Sequence, residues 1–238
     1  MIYALTQKGP HKQENEDRIL IGKTVLASGE FYSKEDCGIA AVADGVGGRS
    51  AGAVASHFVS CELSKVGAIT EDSWHQINTE LNEKARLPEY QGMATTLAGI
   101  SLGENSKVFY VGNTRVYAVR NGKYLQQLTT DDTTVQYLLD TGKLTEEEAQ
   151  SFDKKNEIIA CMGGGSESLF KPKFLDIAEG CNAFLITSDG IHDYMSIDDM
   201  EDILAENSTD MRKALHCLAE KARENGSEDD ISIVFYRN

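Results

Sequence analysis

Positive charge is what this sequence lacks most. Its 238 residues carry 23 Lys and Arg against 38 Asp and Glu, a formal net charge of −15. A field of that sign repels phosphate backbones and anionic lipid, which argues against nucleic acid or a membrane surface as partner. Proline is nearly absent, with only Pro10, Pro88 and Pro172, and no Ser/Gly-rich or single-sign stretch reads as a flexible linker. The five cysteines, Cys37, Cys61, Cys161, Cys181 and Cys217, are odd in number and scattered. They contain no C-x-x-C pair, so a zinc ribbon or redox dithiol drops out and reduced core thiols are expected. No apolar run approaches the roughly 20 residues of a membrane-spanning helix, and the amino terminus turns polar after five residues. The hydrophobic fraction of 41% and charged fraction of 26% are those of a folded globular chain. One cytoplasmic domain over residues 1–238 is expected.

Periodicity then divides the chain. Ile2–Thr6, Arg18–Ala27 and Gly38–Ala43 read as strands. Ala51, Val54, Ala55, Phe58, Val59 and Leu63 make one helical stripe, and Trp74, Ile77 and Leu81 mark a second helix near Glu71–Arg86. Four strand-like runs follow, near Thr95–Leu102, Lys107–Val111, Val116–Arg120 and Tyr124–Leu128, with turn signals at Gly103-Glu104-Asn105 and Asn121-Gly122. Strands joined by tight turns pair antiparallel, so a βαβ sheet is excluded here. A polar stretch, residues 131–165, reads as an insertion with short helices around Val135, Leu138 and Leu139 and at Glu146–Phe152. Strands at Lys173–Ile177, Ala183–Thr187 and Ile231–Tyr236 and helices at Ile197–Ala205 and Met211–Ala222 complete an α+β layered sandwich.

Acidic residues sit at the ends of these apolar strands: Glu16-Asp17 before Arg18, Asp44 after Ala43, Asp189 after Ser188, and Asp229-Asp230 before Ile231. A carboxylate beside buried strand is desolvated, and several brought together repel one another unless a cation intervenes. Hard divalent ions suit such an all-oxygen environment. Asp44 and Asp189 are each followed by glycine, which predicts sharp turns that bring the next carbonyl within ligating reach. None of His11, His57, His75, His192 and His216 lies in a Ser or Cys nucleophile motif, and His192, three residues after Asp189, stands out by position. The Gly163-Gly164-Gly165 run lacks the Gly-Lys-Ser/Thr of a phosphate-binding loop and reads as a flexible edge of the insertion.

The order Asn15-Glu16-Asp17, Ala43-Asp44-Gly45-Val46-Gly47-Gly48, Gly92-Met93-Ala94-Thr95-Thr96, Val111-Gly112-Asn113-Thr114-Arg115, Ser188-Asp189-Gly190 and Gly226-Ser227-Glu228-Asp229-Asp230-Ile231-Ser232 resembles the metal-dependent Ser/Thr protein phosphatases of the 2C class. The likeness covers essentially the whole chain, including a segment like the family's flap around 131–165. It implies a four-layer α-β-β-α sandwich of two antiparallel sheets flanked by helices. It also implies hydrolysis of phosphoserine and phosphothreonine by metal-activated water at a two-ion Mg²⁺ or Mn²⁺ centre. Carried over by motif, Asp44 would bridge the ions, the Gly45 carbonyl would hold one, and Asp189 and Asp229 would complete the protein ligands. Glu16 and Asp17 would ligate directly or orient water. The implied partners are phosphorylated proteins and a Ser/Thr kinase with its targets, met by a monomer.

Four positions depart from the family pattern. Lys12 stands where an arginine usually clamps the substrate phosphate, and lysine lacks the planar fork. Val46 replaces a histidine acid found in eukaryotic members, so a metal-bound water would protonate the leaving oxygen. Asn113 replaces an aspartate that helps hold a third ion, which leaves that site weak or empty. Asp230 replaces an asparagine and adds negative charge beside the pair. Arg115 is expected in a structural ion pair, and Arg49 near the substrate. Lys12 and Asn113 keep an alternative open, a weakly active or inactive homologue acting as a phosphoprotein-binding regulator. A third reading is a two-metal hydrolase of small phosphoesters or nucleic acid, the latter opposed by the net charge of −15.

Overall fold

The computed structural model describes residues 1–46, 51–66, 69–103, 105–150, 152 and 157–238. Along the chain run β1 (Ile2–Gln7), β2 (Arg18–Ile21), β3 (Thr24–Leu26), β4 (Gly29–Ser33), β5 (Ile39–Ala43) and β6 (Gly45–Val46), then α1 (Ala51–Leu63) and α2 (Glu71–Lys84). Strands β7 (Ala94–Thr95), β8 (Leu97–Ser101), β9 (Lys107–Val111), β10 (Arg115–Arg120) and β11 (Tyr124–Gln127) follow, with α3 (Thr134–Asp140) and α4 (Glu146–Gln150). The last part holds β12 (Met162–Gly163), β13 (Lys173–Asp176), β14 (Ala183–Thr187), α5 (Asp189–His192), α6 (Ile197–Glu206), α7 (Met211–Glu224) and β15 (Ile231–Arg237).

The strands form two six-stranded sheets, ordered β11-β10-β14-β15-β1-β4 and β13-β9-β8-β5-β2-β3, and a small sheet β12-β7-β6. Adjacent strands are antiparallel, as in β14 with β15 (Thr187 opposite Ile233) and β2 with β5 (Arg18 opposite Ala43). Strand periodicity explains the layering, because successive side chains point to opposite faces. On β15, Val234 and Tyr236 enter the core between the sheets while Ile231, Ile233 and Phe235 face the helices. On β9, Val108 and Tyr110 point inward between the sheets and Phe109 and Val111 point outward. Both faces of each sheet are therefore apolar, and each needs a helical cover. Helices α6 and α7 close the first sheet through Met200, Leu204, Leu215 and Leu218, and α1 and α2 close the second through Val59, Leu63, Trp74 and Leu81. The result is the four-layer α-β-β-α sandwich. The helix starts are capped as their sequences dictate, with reciprocal boxes at Thr70/Ser73 and Ser196/Asp199.

Several elements differ from the sequence expectation. The run 18–27 is a hairpin, β2 turning into β3 at Gly22 with φ +58°, a left-handed conformation that glycine adopts without strain. Strand β4, half exposed and polar at the sheet edge, carries no apolar run to announce it. The four consecutive runs after Pro88 do not form one sheet, because β9 and β10 lie in different sheets and the chain crosses between them at Gly112-Asn113-Thr114. All five cysteines are free thiols, and no helix among the described residues is long and apolar enough to cross a membrane.

Candidate functional site

Antiparallel pairing assembles the acidic residues. Where one strand ends, its neighbour begins, so Asp17 entering β2 and Asp44 leaving β5 lie at one end of the second sheet. Asp189 beyond β14 and Asp229-Asp230 entering β15 lie likewise on the first sheet, where Ser188 and Ser232 are locked by Ser188 N–H to Ser232 O at 3.0 Å and Ser232 N–H to Ser188 Oγ at 2.9 Å. The sheets join through Asn15, which donates to Thr6 Oγ1 at 2.8 Å, and Thr6 bonds Ser232 Oγ at 2.8 Å.

The glycines after Asp44 and Asp189 have a different purpose from the sharp turn expected of them, since neither has a positive φ. A Cβ on Gly45 would lie 2.3 Å from Gly52 O, and one on Gly190 would lie 1.9 Å from Asp230 O. Both are glycine because another backbone passes against them. Gly47, Gly48 and Arg49 lie outside the described residues.

Burial first, and neighbouring carboxylates second, raise the pKa of Asp17, Asp44, Asp189 and Glu16. Asp17, 1% exposed, is pushed up to about 7 by burial and then by Asp230 and Asp189, against the hydroxyls of Ser188 and Ser232. Burial, then the charges of Asp189, Asp17 and Asp229, holds Asp44 well above the carboxylate range. Asp189 rises to about 6 through burial and Asp229, opposed by hydrogen bonds with Asn113 and Asp44. Burial raises Glu16 also.

Lys12 lies against this cluster. Its ammonium touches Asp229 and stands 3.1 Å from Asp230 Oδ2 and 3.5 Å from Glu16 Oε2. Burial works to lower its pKa, but the bonds and charges of Asp229 and Asp230 outweigh burial and raise it. Asp230, 2% exposed, accepts the Gly9 N–H on Oδ1 at 2.8 Å and the Glu16 N–H on Oδ2 at 2.7 Å. It therefore clamps both ends of the segment that carries Lys12.

Asn113 donates from Nδ2 to Asp189 Oδ2 at 3.0 Å, and its buried Oδ1 has no partner. Arg115 forks onto Asp131, with Nε 3.0 Å from Oδ1 and Nη2 2.7 Å from Oδ2, the structural pair expected of it. His192 is buried with Nδ1 2.8 Å from Thr187 Oγ1, and burial followed by the charge of Arg115 keeps it neutral. Arg223, which drew no notice in the sequence, donates to the carbonyls of Ser227 at 2.9 Å and Asp229 at 2.6 Å and fixes the loop before β15. Its only signal there is that of any basic residue ending a helix.

The Gly163-Gly164-Gly165 run is pinned rather than a flexible edge. Asn78 Oδ1 accepts from Gly163 N–H at 2.8 Å and Asn82 Oδ1 from Gly165 N–H at 3.0 Å, while Met162–Gly163 pairs with β7. Beside Asn113, a groove of about 750 Å³ runs outward between Arg115-Asp131 and helices α3 and α4.

The donor set suits a hard divalent cation. Every group is an oxygen, Asp17 Oδ2 is buried without a partner, and Asp17, Asp44 and Asp189 repel one another in a way that positive charge relieves. Among the described residues the Lys12 ammonium pairs with Glu16, Asp229 and Asp230. Among the described residues no three His, Cys, Asp or Glu side chains are yet arranged to hold a metal ion, so the carboxylates are neighbours and not a finished cage.

No protein-family model matches the sequence. The chain is 30% identical over 244 residues to the serine/threonine phosphatase stp of Listeria monocytogenes, with 96% of this chain and 92% of that protein covered. This chain belongs to the PPM family of bacterial Ser/Thr protein phosphatases. Another PPM relative, the Mycobacterium tuberculosis serine/threonine protein phosphatase PstP, is 28% identical over 242 residues; the match takes in 97% of this chain and 43% of PstP, so the chain spans less than half that relative's length. Among solved PPM structures, Stp1 from Staphylococcus aureus superposes with a TM-score of 0.81 at 26% identity, covering 100% of this chain and 94% of Stp1. The catalytic domain of PstP in complex with two manganese ions gives 0.76 at 26% identity, covering 100% and 99%.

Proposed function

We propose that this chain hydrolyses phosphoserine and phosphothreonine monoesters on protein substrates with a pair of divalent cations, Mn²⁺ or Mg²⁺. The observation that carries the reading is the convergence of Asp17, Asp44, Asp189 and Asp229 from four strand ends to one end of the sandwich. The manganese-bound PstP domain, similar over the whole chain, supports it. Asp44, Asp189, Asp229 and the Gly45 carbonyl would hold the ions, with Glu16 and Asp17 beside them. Bound there, the cations supply positive charge that activates a water for in-line attack and neutralises the phosphate.

The chain's own residues set the stage. The Asn113 amide fixes one oxygen of Asp189, and Asp230 fixes the segment bearing Glu16. Lys12, its side chain 28% exposed, is the ammonium at the mouth and is assigned to the substrate phosphate, exchanging Asp229 for it. Val46 offers no proton to the leaving oxygen. The proposed setting is the cytoplasm, where five free thiols persist, and the partners are proteins phosphorylated by a Ser/Thr kinase. Phosphate release from a phosphothreonine peptide tests the reading: it should require Mn²⁺ or Mg²⁺, stop with chelator, and vanish in Asp189→Asn. Release that persists in Asp189→Asn would refute it.

A further inference from the structure

The groove beside Asn113 begins at the candidate site, because Asn113 lines it and also holds Asp189 at 3.0 Å. Asn113 is 3% exposed, and its Oδ1 still lacks a partner. The groove's outer wall is α3, α4 and the turn between them, which contribute Leu139 and Asp140, Glu146, and Leu144 respectively. Its basic lining residue, Arg115, is already forked onto Asp131. The charge that faces an incoming chain is therefore negative, and the surrounding segment agrees: residues 131–165 contain eight acidic and three basic residues.

Resting on the phosphatase reading, we infer that this groove receives a Lys or Arg side chain flanking the phosphorylated residue, so that the preferred substrates are phosphopeptides with basic neighbours. The lining matches that side chain in both its parts. Leu139 and Leu144 cover an aliphatic stem, while Asp140 and Glu146 meet the charged head. A Glu flank would meet like charge, and an apolar flank would shield the carboxylates from water without bringing a cation to them. The volume of about 750 Å³ admits one long side chain and adjoining backbone.

Two phosphothreonine peptides that differ only in carrying Lys or Glu beside the phosphothreonine test this, with kcat/KM read by phosphate release and affinity read separately by fluorescence anisotropy. The Lys peptide should be favoured about fivefold, the size given by two partly exposed charge pairs, and the advantage should shrink with salt. In Asp140→Lys/Glu146→Lys the preference should reverse toward the Glu peptide. Equal kcat/KM and equal affinity for the two peptides would overturn the inference, as would a preference untouched by the double substitution. If neither peptide is hydrolysed while the Lys peptide still binds more tightly, the groove assignment stands and the phosphatase reading falls.

Discussion

Lys12 and Asp230 are joined by an ion pair, Nζ to Oδ2 at 3.1 Å, beside the closer contact of Lys12 with Asp229. Where the family resemblance implies arginine and asparagine, a carboxylate here accepts two backbone N–H groups and an ammonium on its two oxygens. An asparagine would have to turn its own amide N–H toward Gly9 or Glu16. Two departures legible separately in the sequence are thus a single feature. Asp230→Asn alone should destabilise the protein by about 2 kcal/mol, and Lys12→Arg/Asp230→Asn should lose measurably less than the sum of the single changes. Urea denaturation with chelator present measures the cycle, and strict additivity would break the pairing argument.

Gly190 is fixed by approach and not by turning. With a Cβ 1.9 Å from Asp230 O, Gly190→Ala must push apart the starts of α5 and β15, which carry Asp189 and Asp230. A loss of about 3 kcal/mol in chemical denaturation is expected. A change below the scatter of the measurement would mean that the two backbones separate freely.

Asn113 orients Asp189 through one hydrogen bond. Asn113→Ala should weaken Mn²⁺ binding by about tenfold, as loss of an orienting partner does, without unfolding the chain. Calorimetric titration with Mn²⁺ reads the affinity, and a circular dichroism melt reads the fold.

His192 gives a pH signature of known sign. Buried and held neutral well below its ordinary value of 6.5, it binds fewer protons folded than unfolded in acid. Its contribution is present above pH 6.5 and is lost as pH falls below it, at up to about 1.4 kcal/mol per pH unit. Below pH 6.5 the stability of His192→Phe should fall less steeply with falling pH than that of the parent chain; parallel curves would show that the imidazole titrates freely when folded.

The sequence revealed most of the frame where burial was two-sided. Lys107–Val111 and Ala183–Thr187 are strands to the residue because apolar side chains fill both faces. It concealed β4, whose Gly29–Ser33 run at the sheet edge is short and mixes Phe31 and Tyr32 with glycine and polar residues, and the crossing at Gly112–Thr114, because a change of sheet leaves the apolar pattern of β9 and β10 intact. At the site, the strand-end acids announced themselves by position. The role of Asp230 did not, since its partners Gly9 and Glu16 are more than 200 residues away in sequence and meet it only in the folded chain.

On the proposed reading, carboxylates gathered from four strand ends would hold divalent cations. Isothermal titration of the metal-free protein with Mn²⁺, beside Asp44→Asn, tests it most directly. Saturable binding is expected in the parent chain, with a loss of at least about tenfold in the variant. Equal affinity in the two proteins, or no binding by the folded parent chain, would contradict it.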